Sequence, residues 1–254
     1  MSPVQMPPPD GSRVPLRTWV AVLASLLGAF MAILDIAITN ASLRDILGAL
    51  SATQEEGSWI SSAYLVAEIV VIPLAGFLAT VFSPRRYLVV NVVLFLAFST
   101  LCGMAWSLES MIVFRAAQGF TGGVMIPMAM TLVTRKLPMN KRPIGLALFG
   151  MTATLAPTLG PTVGGYLTEL YGWPSIFYIN WVPGILLVLG VGWGLEREPA
   201  QLDLLKKVDW LSVAAMAIGL GSLTAMLEEG NAKDWFESRF IIVAAVLAVT
   251  GLYI

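Results

Sequence analysis

Eight apolar stretches follow one another along this chain, most of them about twenty residues long, and that series leaves few architectures open. They fall at 19–40, 59–82, 87–106, 111–134, 144–167, 176–195, 210–227 and 240–254. About twenty apolar residues coiled at ~1.5 Å each cover the ~30 Å hydrocarbon core of a bilayer. Lipid offers no water to the backbone, so a spanning segment of this kind closes its own hydrogen bonds as a helix. Composition agrees: 57% of residues are hydrophobic and 12% are charged, against ~25% charged in a soluble domain. The chain is therefore expected to be an all-α integral membrane protein. Its last stretch has fifteen residues, ~22 Å of helix, and reads as a span cut short.

Residues 1–18 are polar and Pro-rich and are expected to form a disordered tail ahead of an uncleaved signal anchor. Basic residues set the orientation. Arg13, Arg17, Arg85, Arg86, Arg135, Lys136, Lys141, Arg142, Arg197, Lys206 and Lys207 fall on one side of the series, and only Arg44, Lys233 and Arg239 on the other. Eleven against three places the N-terminus in the cytoplasm by the positive-inside rule. The chain has no His, which removes the commonest metal ligand and general base, and its single Cys102 can form no internal disulfide. No metal site, cofactor or nucleic-acid partner is expected, since no basic tract is long enough for the last of these.

A weak internal echo points to repeats. Gly76-Phe-Leu-Ala-Thr-Val-Phe-Ser-Pro84 closes the second stretch, and Gly165-Tyr-Leu-Thr-Glu-Leu-Tyr-Gly-Trp173 closes the fifth. Three spans separate the copies, so they face opposite sides of the membrane. Two inverted three-helix repeats forming a six-helix bundle over residues 19–200 would do this, a recurrent transporter design. Residues 201–254 would add two further transmembrane helices, the second incomplete.

The fifth stretch carries Leu155-Ala-Pro-Thr-Leu-Gly-Pro-Thr-Val-Gly-Gly165. Pro157 and Pro161 each remove a backbone donor, at ~3 kcal/mol in a soluble helix interior. Gly160, Gly164 and Gly165 strip side chains from the helix and let another backbone approach. A segment that bends and packs tightly reads as a moving part, with its glycine face turned to helices beyond this chain.

Three charges lie inside spans: Asp35, Glu68 and Arg115. Each costs ~2.5–3.5 kcal/mol at mid-membrane on insertion scales and so calls for a compensating role. Gln118, Gly119, Gly122 and Gly123 share a helical face with Arg115, at offsets of 3, 4, 7 and 8. That polar, small face should point into the bundle. Asp35 and Arg115 lie at similar depth, which makes a pairing sterically reasonable. A carboxylate can take up and release a proton while a guanidinium keeps its charge, so the pair reads either as proton coupling or as a static ion pair. Glu68 reads equally as a second proton site or a satisfied polar contact. Asn180 is expected to satisfy backbone groups freed by Pro183, and Ser83-Pro-Arg-Arg86 to be a topogenic turn.

Together these residues resemble the major facilitator superfamily, specifically its fourteen-span drug:proton antiporters of the EmrB/QacA type. Ile33-Leu-Asp-Ile-Ala-Ile-Thr-Asn-Ala41 is similar to the first-span motif, and Arg115-Ala-Ala-Gln-Gly119 to the fourth. Gly160-Pro-Thr-Val-Gly-Gly165 is similar to the fifth-span antiporter motif that separates exporters from symporters. The loop after span two keeps the motif positions Gly76, Leu78, Ala79 and Arg85, with Arg86 beside them, but Thr80 stands where the family carries an acid. The conformational latch usually assigned to that acid is therefore not expected here.

The resemblance implies a proton-coupled exporter of amphipathic compounds in the inner membrane, present here as its N-terminal portion. Asp35, Glu68, Arg115 and Gln118 would serve proton and substrate. Its implied partners are small amphipathic substrates, protons, the lipid bilayer, a missing C-terminal half and, in a bacterium with two membranes, a periplasmic adaptor and an outer-membrane channel. Two other readings remain: a non-transporting truncated membrane partner, and a membrane enzyme acting on lipid-borne substrates. The enzyme lacks the His, clustered carboxylates or metal signature it would want.

Overall fold

The computed structural model describes residues 14–253, and every regular element in them is helical. Helix α1 (Leu16–Ala41) opens directly after Pro15, whose carbonyl accepts from Thr18 N at 3.0 Å. Residues 1–13 of the expected tail lie outside the described residues, but Leu16, Arg17 and Thr18 are already helical. The first span is thus longer than its apolar run, because the polar residues behind Pro15 extend the same turn.

A short helix α2 (Leu43–Leu50) follows and ends at Ser51 in the left-handed region (φ 54°). It was not expected, being too short to register as an apolar span. Next come α3 (Gln54–Phe82), started by a reciprocal cap between Thr53 and Glu56, and α4 (Pro84–Gly103), which carries Pro at its first position. Span four is broken into α5 (Leu108–Gly122) and α6 (Met125–Lys136). Helix α7 (Arg142–Tyr171) is followed by α8 (Ser175–Tyr178) and α9 (Trp181–Gly194), which together make span six. The series closes with α10 (Trp210–Glu229) and α11 (Arg239–Tyr253). Seven of these spans are long and apolar enough to cross a membrane, and α11 is a shorter apolar helix.

The prolines of α7 do not break it. The helix runs unbroken through Pro157 and Pro161, whereas spans four and six are interrupted at Gly123–Val124 and Ile179–Asn180. The two echoing segments end alike. Ser83 and Gly172 occupy equivalent positions after α3 and α7, and both hold positive φ, 74° and 78°. Such a conformation strains Ser83, which has a Cβ, and suits Gly172, which has none.

Helix α1 is the central element, packed by α6, α7 and α9; α3 lies against α5 and α10, and α4 against α5 and α9. The glycine face of α7 is turned to α1, contrary to the expectation that it looks away from this chain. A Cβ at Gly160 would collide with Ala37, and one at Gly164 would lie 3.0 Å from the Ile38 carbonyl oxygen. Glycines spaced by four let the two backbones close together, so this face is already spent within the bundle. Pro157, Pro161 and Gly165 point outward, and nothing lies within 4 Å of a Cβ at Gly165.

Basic residues gather at one end. There Arg17 stacks on Trp193, Lys136 pairs with Glu198, and Gln201 N donates to Val81 O at 2.7 Å. At the other end Lys233 faces Glu55 at 4.0 Å and Trp59 meets Phe240 edge to face. Between the ends the apolar core falls into two clusters. One holds Ala32, Leu88, Phe95, Leu96, Met125, Leu132, Leu187 and Val191; the other holds Ile38, Ile46, Ile60, Cys102, Met111, Ile176 and Phe177.

Candidate functional site

The layer between those two clusters is polar. Along α1, Asp35 lies between Ala32 of one cluster and Ile38 of the other; Ser99 takes the same place on α4, between Leu96 and Cys102. Arg115 and Gln118 on α5 separate Met111 from Val124, and Asn180, at the break between α8 and α9, separates Phe177 from Leu187. All five are buried, with Arg115, Gln118 and Ser99 fully excluded from solvent.

Arg115 Nη1 donates to Asp35 Oδ2 at 2.6 Å and to Gln118 Oε1 at 2.8 Å, while its Nε donates to the Ile60 carbonyl at 3.3 Å. Gln118 turns its amide back and donates Nε2 to Asp35 Oδ1 at 3.0 Å. Asn180 Nδ2 donates to the same oxygen at 2.6 Å and to Ser99 Oγ at 3.0 Å, and Ser99 donates onward to the Phe177 carbonyl at 2.8 Å. One carboxylate thus receives three donors from two other spans. Charge-assisted hydrogen bonds of this kind are the strong class, and a buried ion pair needs them to offset desolvation. The guanidinium also lies 4.2 Å over the Tyr64 ring and 5.9 Å from the Phe177 ring, a cation–π arrangement from two sides.

Asn180 therefore does not serve the carbonyl freed by Pro183, as sequence suggested. The interruption after α8 directs its amide inward instead. Ser99 was not singled out by sequence at all; a lone Ser in an apolar run gives no signal without knowing which face it occupies.

Glu68 stands one turn after Tyr64 on α3, and α5 closes over both. A Cβ at Gly119 would overlap the Tyr64 carbonyl, and one at Gly123 would lie 2.8 Å from the Glu68 carbonyl. The glycines beside Arg115 are what let α5 come so near. Glu68 Oε1, the Tyr64 hydroxyl and Arg115 Nη2 are buried and find no hydrogen-bond partner among the described residues. The site thus holds donor and acceptor capacity that the resting arrangement does not use.

A third buried carboxylate escaped the sequence reading. Glu229, the last residue of α10, is fully buried and accepts from Ser58 Oγ at 2.9 Å and Ser62 Oγ at 2.6 Å. The two serines lie one turn apart on α3, so Glu229 joins α10 to the helix that carries Tyr64 and Glu68. Near the end of α3, Gly76 has open space around it, and Thr80 donates to the Gly76 carbonyl at 3.0 Å. Arg85 Nη1 donates to the Leu195 carbonyl at 3.3 Å, and Arg86 is exposed. No cluster of three metal-ligating side chains occurs among the described residues.

A bundle of apolar spans closed around a buried ion pair defines a multi-pass membrane protein. The chain belongs to the Major Facilitator Superfamily, whose sequence profile matches residues 25–254. It is 40% identical over 240 residues to the colistin resistance protein EmrB of Acinetobacter baumannii, covering 94% of this chain and 47% of that protein. It is 34% identical over 248 residues to the multidrug export protein EmrB of Escherichia coli K12, covering 98% of this chain and 48% of that protein. The chain thus spans about half the length of these relatives. The fold matches a bacterial homolog of the lysosomal transporter Spinster, with a TM-score of 0.62 at 17% identity over 94% of this chain and 61% of the other. It also matches a D-xylose–proton symporter, with a TM-score of 0.59 at 12% identity over 92% and 66%. At those identities the two structures speak to fold alone.

Proposed function

We propose that this chain forms the N-terminal half of a proton-coupled exporter of amphipathic compounds, with residues 19–200 as its bundle and 201–254 as two added helices. The observation that carries this reading is the buried Asp35 carboxylate, held by Arg115, Gln118 and Asn180 in the polar layer. A proton arriving at Asp35 cancels the charge that Arg115 Nη1 faces and turns one carboxylate oxygen into a hydroxyl. Arg115 then loses its anion and turns to Gln118 and to the unused acceptors nearby, Glu68 Oε1 and the Tyr64 hydroxyl among them. Loss of the proton on the opposite side restores the pair. Glu68 is the second carboxylate through which that proton can pass.

Coupling to the rest of the bundle runs through α1. Asp35 lies two residues before Ala37, which seats Gly160, and three before Ile38, which seats Gly164. A shift in the Asp35 network therefore reaches the antiporter-type run of α7 through direct contact. On the same two helices Leu23, Leu26, Leu27, Phe30, Leu148, Met151 and Leu155 line an apolar cleft. Its character suits the apolar part of an amphipathic substrate, completed by the second half that sites of this fold require. The relatives' names support export of such compounds. By the positive-inside rule the basic end is cytoplasmic. The family resemblance implies the inner membrane and, in a bacterium with two membranes, a periplasmic adaptor and an outer-membrane channel along the route.

The decisive experiment compares inhibitor susceptibility in cells carrying the full-length gene, intact or with Asp35→Asn. The variant is expected to lose protection while still reaching the membrane. Unchanged protection would remove Asp35 from the mechanism. Proton-driven dye efflux by this chain alone in vesicles would overturn its reading as a half, and protection by neither form would favour a non-transporting partner.

A further inference from the structure

Three arginines at the basic end are gathered rather than dispersed. Arg85 and Arg86, in the first turn of α4, and Arg197, just beyond α9, line one open cleft of about 410 Å³ together with Val89, Val188 and Gly192. That size falls in the ~300–1,000 Å³ range of small-ligand sites. Arg85 is fixed by its bond to the Leu195 carbonyl. None of the three forms an ion pair with a carboxylate among the described residues. Thr80, in the last turn of α3, is where an acid could have balanced them, and it spends its hydroxyl on its own helix. The first turn of α4 adds the partial positive charge of a helix N-terminus to the same place. Three like charges held together in this way call for an anion.

The cleft is also graded. Its charges form the rim, while Val89 lies one turn farther along α4, and Val188 and Gly192 lie on successive turns of α9 facing it. A free phosphate would meet the arginines and have no use for that apolar wall. A lipid would use both, its phosphate among the guanidinium groups and its chains along the valines; guanidinium groups recognise phosphate through paired N–H donors. Basic pockets between spans at a membrane surface are built in this way for lipid head groups.

We infer that the Arg85–Arg86–Arg197 cleft binds the phosphate headgroup of an anionic phospholipid. The inference stands apart from the transport reading, since it needs only the cleft and a bilayer. Native mass spectrometry of the purified chain tests it, with dioleoyl-phosphatidylglycerol and dioleoyl-phosphatidylcholine offered at equal concentration. Phosphatidylglycerol is expected to be retained in preference. Arg86→Gln with Arg197→Gln should weaken that retention about thirtyfold, two contributions of ~1 kcal/mol each converted at ~1.4 kcal/mol per tenfold. Arg86→Lys with Arg197→Lys should keep most of it; Arg85 is left intact because it holds Leu195. Equal retention of the two lipids, or undiminished phosphatidylglycerol on the Gln variant, overturns the inference. Displacement of the lipid by excess inorganic phosphate also overturns it, because it would show a site for small anions rather than for lipid.

Discussion

Asn180 donates to the same Asp35 oxygen that Gln118 reaches, at 2.6 Å and across 145 residues of sequence. It ties span six to span one through a charge. Asn180→Ala should therefore destabilise the bundle by about 1.5–3 kcal/mol, the usual worth of a hydrogen bond to a charged group. Thermal unfolding in detergent checks this, and Pro183→Ala provides the contrast that separates the Asp35 bond from backbone repair.

Removing one member of the Asp35–Arg115 pair strands the other in the interior. Asp35→Asn and Arg115→Gln should each cost about 3–5 kcal/mol. The double variant should cost less than the two singles combined, with a coupling of about 0.5–3 kcal/mol. Unfolding of all four proteins closes the cycle; strict additivity would show that the contact contributes no coupling.

The glycines of α7 should respond unequally. Gly160→Val drives a side chain into Ala37 and should cost about 1–3 kcal/mol by overpacking. Gly165→Ala meets open space and should lie within about 0.5 kcal/mol of the parent or slightly above it. Equal losses at both positions would contradict the packing of α7 on α1.

Glu229 holds α10 to α3 through two serine hydroxyls. Ser62→Ala leaves one oxygen of a buried carboxylate unpaired and should cost about 1–3 kcal/mol. Hydrogen exchange should rise at the start of α3 and the end of α10 together, and stay unchanged in α7.

Asp209 caps α10, accepting from Ser212 Oγ at 2.6 Å and from the backbone N–H groups of Leu211 and Ser212. The Ser212 hydroxyl, and then the Ser212 and Leu211 amides, hold this exposed carboxyl below its ordinary value. A depressed folded-state value means that the cap stabilises above the unfolded value of ~3.9 and is lost as pH falls through the folded one. Asp209→Ala should speed exchange of the Leu211 and Ser212 amides at neutral pH, and the difference should fade below about pH 4.

Much of this was written plainly in the chain. The spans are legible because lipid demands long apolar runs, and Asp35 and Arg115 stand out because charge inside them is expensive. Ser99 and Asn180 were harder, since a neutral polar residue costs little and periodicity does not say which neighbour its face meets. Glu229 was hidden by position. A carboxylate at the end of an apolar run is ordinarily solvated, and only the docking of α10 on Ser58 and Ser62 encloses it. For Gly160 and Gly164 the stripe was visible, but a stripe names no partner, and α1 was the nearer claimant.

The polar layer also has a temporal side. Asp35 leaves the ribosome eighty residues ahead of Arg115 and 145 ahead of Asn180. At ~5–20 residues per second that is roughly 4–16 s before the guanidinium exists, and longer before the amide does. The first span is therefore synthesised before any of the side chains that will hold its carboxyl group. Asn180 is the last of the five to be made, so the network around Asp35 can close only once span six has arrived.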